Sequence, residues 1–248
     1  MAYIYGKNAL LEWLTSGMPA ERIWLAAELN HQAAAKITAL ARRTGIPVSA
    51  AERHDLNRML KHSNHQVVAA HVILPEYSRV GDIFKRAEDK AEAPLVAVLD
   101  GIQDPHNLGA IIRSAECAGF HGVIIPKDHA AGLSPAVFKA SAGAAAHLPV
   151  AQVTNLARAL NALKDRGVWI TGADGNATRT YTEGDFSGPA AVVLGSEGKG
   201  MRRLTAEGCD FLVSIPMYGN IESLNVSVAA ALLFFEMRRQ RTVIAFDA

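Results

Sequence analysis

Apolar positions along this chain recur with two alternating periods, one near 3.6 residues and one of short continuous runs, and each period predicts its own kind of element. Residues 9–14, 32–43 and 53–60 carry helical spacing, the second helix closing near Gly45. Residues 22–26, 46–49 and 67–73 are short runs of β-formers, so residues 1–75 read as an α-β-α-β-α-β unit. The stretch 75–94 is polar, contains Gly81 and the charged run 85–92, and reads as a linker over 76–93 with a helical turn or two. From residue 94 the alternation resumes. Strands are expected at 95–99, 122–125, 150–153, 168–171, 191–194 and 211–215; helices at 108–118, 135–145, 156–166, near 201–205 and at 226–239. Such alternation implies an α/β domain over 94–248 with a parallel sheet covered on both faces. In such sheets ligands bind beyond the carboxyl ends of the strands.

Composition narrows the class. Half of the 248 residues are apolar and 20% are charged, enough for a substantial core. The longest apolar run, 228–235, falls far short of the roughly 20 residues that span a bilayer. Residues 1–8 lack the apolar core of a signal peptide, so a soluble cytoplasmic protein is expected. Cys117 and Cys209 suggest neither a disulfide framework nor a metal pair and read as reduced packing residues. Net charge is only +1, but residues 1–75 hold eight Lys/Arg against five Asp/Glu. Basic clusters at Arg42 and Arg43, at Arg53, Arg58 and Lys61, at Arg202 and Arg203, and at Arg238, Arg239 and Arg241 either track phosphates or form solvated surface.

Three segments carry candidate chemistry. In the first, a strand ends at Asp100 and a loop with Gly101 and Pro105 leads to Asn107, a plausible helix N-cap. The helix then turns Leu108, Ile111, Ile112, Ala115 and Ala118 to one face and Arg113 away from it. In the second, Gly195, Gly198 and Gly200 follow a strand directly, with Glu197 inside the turn. Glycines there permit tight turns and close approach to a ligand, while neither the dinucleotide nor the phosphate-loop spacing is met. In the third, Pro216 stops a strand ending at Ile215, Gly219 and Asn220 turn the chain, and Ser223 or Asn225 can cap the last helix. Small polar groups in an apolar loop of this kind can also line an adenosine pocket.

In this order, Asn107 with Arg113 six residues on, Gly195-Ser-Glu-Gly, and Ile215-Pro-Met with Ser223-Leu-Asn-Val-Ser resemble the three motifs of SpoU-type enzymes in the SPOUT superfamily of RNA methyltransferases. Residues 1–75, opening with Tyr5-Gly-Lys-Asn-Ala, resemble the L30e-like substrate-binding domain attached to many of them. The resemblance implies a trefoil-knotted C-terminal domain, an exception to unknotted topology. It implies S-adenosyl-L-methionine as cofactor, held by Gly195, Ile215 and Leu224, with Leu194, Gly198, Met217 and Val226 as further walls. It further implies methylation of a guanosine 2′-hydroxyl in 23S rRNA, in the branch acting on the peptidyl-tRNA-binding loop. A homodimer is implied as well, for which the last helix offers apolar surface that could equally be core. Arg113 is expected to hold a phosphate beside the target ribose, with Asn107 orienting it or the substrate, and with Glu197, Ser223 and Asn225 positioning the same groups. The alternatives are a tRNA guanosine 2′-O-methyltransferase and a non-catalytic RNA-binding assembly factor.

Overall fold

The structure, a computed structural model, describes residues 2–61 and 65–246. Met1, residues 62–64 and residues 247–248, assigned above to the two domains, lie outside the described residues.

The N-terminal unit comprises β1 (Ala2–Tyr5), α1 (Lys7–Thr15), β2 (Ala20–Leu25), α2 (His31–Thr44), β3 (Val48–Ala50), α3 (Arg53–Leu60) and β4 (Val68–Val72). Its sheet order is β1-β4-β2-β3; β4 is antiparallel to both neighbours, and β2 and β3 are parallel. Helix α2 starts where the Asn30 side chain accepts from the backbone amides of Gln32 and Ala33, and it ends at Gly45, whose φ of 70° is the left-handed C-cap that glycine tolerates. Strand β1 is absent from the expected order. Its four residues carry little signal of their own and become a strand by pairing with residues 69–72.

The larger unit is a six-stranded parallel sheet, built from β5 (Leu95–Asp100), β6 (Gly122–Pro126), β7 (Val150–Val153), β8 (Trp169–Ala173), β9 (Ala190–Gly195) and β10 (Phe211–Val213). The order is β10-β8-β9-β5-β6-β7, and every pair is parallel. The chain steps outward from β5 to β7 and then crosses to the other side. The reversal of direction therefore opens a crevice at the carboxyl ends of β5 and β9. Helices α4 (Val80–Asp89), α5 (Pro105–Cys117), α6 (Pro135–Ala140), α7 (Leu156–Lys164), α8 (Arg203–Glu207) and α9 (Val226–Phe246) cover the sheet. Strand β5 is buried along its whole length, as a central parallel strand must be.

Residues 76–93 do not form a loose linker. They contain α4 (Val80–Asp89), which buries Ile83, Phe84 and Ala87 against the sheet, and Ser78 bridges to Ala151 of β7. The helix expected over 135–145 is broken after Ala140, at Ala142 and Gly143, both with positive φ, before a short 3-10 turn at Ala144–Ala146. The two units share a core: Trp13 of α1 meets Phe138 of α6 edge-on at 5.4 Å between ring centres.

The arginines near the C-terminus act in the fold. Arg238 donates to the carbonyls of Ala118 and Gly119 and to Glu92. Arg241 donates to the carbonyls of Ala93, Pro94, Phe186 and Gly188. Arg239 is paired with Glu236. These partners of Arg238 and Arg241 are backbone carbonyls and a carboxylate at the amino-end rim of the sheet, so these two arginines are committed to the fold rather than to a phosphate track. Burial lowers the Arg241 pKa to about 10, and burial pushes the adjoining His121 imidazole down to about 4. Cys209 packs against the core, and burial raises its thiol to about 12, whereas Cys117 is exposed and not a packing residue.

Candidate active site

Three turns meet at the carboxyl ends of β5 and β9. The first begins at Asp100 and enters α5. Its N-cap is Asp104, whose side chain accepts from His106 N at 2.9 Å, and Pro105 fills the first helical position. Asn107 is therefore not the cap. It lies one turn further in, with its amide free to leave the helix.

The second turn follows β9. Ser196 and Gly200 exchange two backbone hydrogen bonds, of 3.0 and 2.9 Å, closing a tight loop with Glu197 inside it. Gly198 and Gly200 have φ of 76° and 65°, values that favour glycine. Gly195 is required for a different reason. A Cβ there would lie 2.1 Å from the Gly200 carbonyl carbon and 2.2 Å from Met201 N, so backbone passes over backbone with no room for a side chain.

The third turn, residues 214–225, returns the chain from the edge strand β10 to the start of α9 beside the second turn. Asn225 caps α9: its Oδ1 accepts from Ser227 N at 2.9 Å and from the Ser227 hydroxyl at 2.6 Å.

One carboxylate oxygen joins all three. Glu197 Oε1 accepts from Asn225 Nδ2 at 2.7 Å, from Asn107 Nδ2 at 3.2 Å and from Val226 N at 3.4 Å, and Asn225 Nδ2 also reaches Asn107 Oδ1 at 3.0 Å. The three motifs thus form one polar cluster although their residues stand up to 118 positions apart.

Beneath this cluster lies a support that sequence reasoning missed. Asp100, its carboxylate 0% exposed at the end of β5, accepts from Arg202 N at 2.8 Å and Arg202 Nε at 2.6 Å. It pins the exit of the second turn. Arg202, read as a possible phosphate contact, is thus committed to the fold, and Arg203 is paired with Glu207. A buried acid at a strand end is the one signal that could have marked Asp100.

Not every expected residue joins the cluster. Arg113 is exposed on α5 and, among the described residues, makes no hydrogen bond or ion pair. Six residues beyond Asn107, it lies about 9 Å further along the helix axis. Asn107 hydrogen-bonds Glu197 and Asn225 and not Arg113. Ser223 is exposed and outside the hydrogen-bonded cluster. Of the expected cofactor walls, Leu194 and Val226 are buried, Gly195 and Ile215 are half-buried, Gly198 is exposed, and Met217 and Leu224 are 36% and 37% exposed. Tyr218 and Ile221, not expected in the site, add 96% and 76% exposed apolar side chains to the same turn.

Comparisons with known proteins agree with this geometry. The profile of the SpoU rRNA Methylase family matches residues 94–235, and that for RNA 2′-O ribose methyltransferase substrate binding matches residues 3–78. The chain is 42% identical over 241 residues to the 23S rRNA (guanosine-2′-O-)-methyltransferase RlmB of Pseudomonas putida, covering 97% of each chain. Among solved structures it resembles the SpoU methyltransferase AviRb from Streptomyces viridochromogenes in complex with AdoMet, with a TM-score of 0.76 and 27% identity over 97% of this chain and 90% of that one. The A. aeolicus TrmH/SpoU tRNA modifying enzyme aligns with a TM-score of 0.57 and 25% identity, over 66% of this chain and 86% of that one. By its matched profiles, its relatives and the joining of its three motif turns at one carboxylate, this chain belongs to the SpoU rRNA Methylase family.

Proposed function

We propose that this protein transfers a methyl group from S-adenosyl-L-methionine to the 2′-hydroxyl of a guanosine ribose in 23S rRNA, in the peptidyl-tRNA-binding loop. The single observation that carries the reading is the Glu197 carboxylate shared by Asn107, Asn225 and the start of α9. It supports the view that the three turns act as one site.

The residues fit the cofactor's chemistry. The turns at 195–200 and 214–225 offer backbone amides and carbonyls, apolar walls in Leu194, Ile215, Met217, Leu224 and Val226, and a carboxylate, a set suited to an adenine ring and a cationic sulfonium. When bound, the sulfonium supplies an already activated methyl group. The protein's part is to place the ribose oxygen in line and provide for its proton, and positioning alone can remove up to ~7–11 kcal/mol of a barrier. Arg113, free of partners in the fold, holds the phosphate beside the target ribose. That phosphate or a nearby water accepts the ribose proton. Glu197 fixes Asn107 and Asn225, and Ser223 contacts the substrate from the exposed side of the third turn.

The N-terminal unit selects the RNA with Arg42, Arg43, Arg53 and Lys61, all exposed. The protein works as a homodimer: Val228, Leu232 and Phe235 of α9 form an apolar stripe, 48%, 40% and 52% exposed, continuous in sequence with the exposed turn before it. We infer further that the return of residues 214–225 is threaded as the family's knot. No helix among the described residues is long and apolar enough to cross a membrane, and we place the protein in the cytoplasm with its RNA.

Ribose-methylation mapping of 23S rRNA and tRNA after incubation with the purified protein and methyl donor tests the reading. A single modified guanosine in the rRNA loop is expected. Modification of tRNA instead selects the alternative substrate, and a folded protein that modifies neither overturns the proposal.

A further inference from the structure

The loop after β6, residues 127–134, is tied down at several points and reaches the same crevice. Lys127 N donates to Val153 O at 2.8 Å, and Ala131 N donates to Ile102 O at 2.8 Å, in the loop that leads to α5. A third tie comes from the segment between the two domains: Leu133 N donates to Tyr77 Oη at 2.9 Å. Gly132 makes room for it, since a Cβ there would stand 2.7 Å from the phenol oxygen. At the loop's tip His129 has φ 59°, a conformation few non-glycine residues adopt. A Cβ on Gly101 would lie 3.8 Å from His129 O and 3.8 Å from Ser196 Cβ, so this tip borders both the first and second motif turns. Lys127, Asp128 and His129 are all exposed there.

We propose that this loop is a second wall of the RNA site, in which Lys127 and His129 meet the phosphate backbone next to the target ribose, and that Tyr77 is the positioning residue that holds the loop in place. The proposal rests on the RNA-methylation reading above. Lys127 and His129 are both exposed at a tip that borders the first and second motif turns, which places their donors beside the crevice. Asp128 sits between the two donors and points the wrong way in charge, so the contact is a matter of placement rather than of net potential. The Tyr77 tie also links the substrate-binding unit to the crevice: the residue that leaves the first domain sets the position of the loop.

Three variants test this in the full-length protein, using a 23S rRNA fragment. In Tyr77→Phe, amide exchange across 129–133 rises and the KM for RNA rises roughly two- to tenfold, the size of one net hydrogen bond, with Tm and S-adenosylmethionine affinity unchanged. Lys127→Ala lowers the slope of log Kd against log salt by about 1. His129→Gly relaxes the backbone and leaves Tm equal or higher, yet weakens RNA binding. The proposal is overturned if RNA binding and KM are those of the wild type in all three, or if Tyr77→Phe leaves amide exchange unchanged. Wild-type methyl transfer with unchanged variants sinks the loop proposal alone. A wild type that binds RNA but transfers no methyl group sinks the underlying reading, while the salt slope and exchange still judge the loop.

Discussion

Asn225 donates from Nδ2 to Glu197 Oε1 at 2.7 Å while its Oδ1 accepts from Ser227 N in the first turn of α9, so one side chain both caps the last helix and ties it to the turn after β9. The two roles separate under substitution. Asn225→Asp keeps the cap oxygen but sets a carboxylate against Glu197; Asn225→Ala loses both. Asn225→Ala should lower stability by about 1 kcal/mol, the usual worth of an N-cap, while Asn225→Asp keeps most of that stability. Both should lose most methyl transfer. Thermal unfolding and a methyl-transfer assay on the same samples check this; an active Asn225→Asp protein would contradict the role assigned to the Nδ2 bond.

The Asp100–Arg202 pair predicts an asymmetry. Arg202 is half exposed and can turn to water, whereas the Asp100 carboxylate is fully enclosed. Arg202→Ala leaves that buried carboxylate charged with only the amide of position 202 as partner, and should cost more than Asp100→Asn, which removes the charge and keeps one oxygen for one of the two donors. A cost of about 1–3 kcal/mol is expected for the former. Equal midpoints in urea unfolding would show that the carboxylate is not a structural anchor.

Gly195→Ala should be far more damaging than Gly198→Ala. A methyl group at 195 meets backbone at 2.1 Å, whereas at 198 nothing lies within 4 Å and only the positive φ is strained. Titration of S-adenosylmethionine should show no binding to the first variant and weakened binding to the second. Comparable affinities would mean that the second turn does not form the cofactor site.

Acid should weaken the fold through His121. Its Nδ1 accepts from Leu95 N, its Nε2 lies 3.6 Å from Glu92, and Lys90, Arg238 and Arg241 face it as cations. Burial, the largest influence, lowers the imidazole from 6.5 to about 4, so the folded state binds fewer protons than the unfolded chain between those values. Stability contributed by the neutral form is complete above pH 6.5 and is lost as pH falls toward 4, up to about 3 kcal/mol in all. Glu92 acts in the same direction. Burial raises its carboxyl, but the Arg238 hydrogen bond and the neighbouring charges outweigh this and hold it below its ordinary value. Unfolding midpoints measured from pH 7 to pH 4 should fall less steeply in His121→Gln than in the wild type.

Much of the catalytic unit was legible because its strands are continuous apolar runs and its helices carry one apolar face. Leu108, Ile111, Ile112 and Ala115 are all buried as their spacing required, and Arg113 is exposed. What failed has identifiable causes. The stripe Val80, Ile83, Phe84 and Ala87 was obscured by the charges around it, so α4 passed for a linker. Asp104 and Asn107 are both good caps, and Pro105, which favours the first helical position, should have decided for Asp104. Arg202, Arg238 and Arg241 looked like surface charge because their partners stand 53 to 148 positions away in the chain, further than any local pattern reaches. The same distance hid the meeting of Asn107, Glu197 and Asn225, which only the order of the three motifs suggested.

In the proposed methyl-transfer site, Arg113 serves the RNA and not the cofactor. The most direct test of this pairs calorimetric titration of S-adenosylmethionine with methyl transfer to a 23S rRNA fragment, for wild type and Arg113→Ala. Unchanged cofactor affinity is expected, with a turnover loss of about 10²–10³ or more, the scale of removing one group that acts only in the transition state. Loss of cofactor binding in step with turnover, or undiminished turnover, would contradict it.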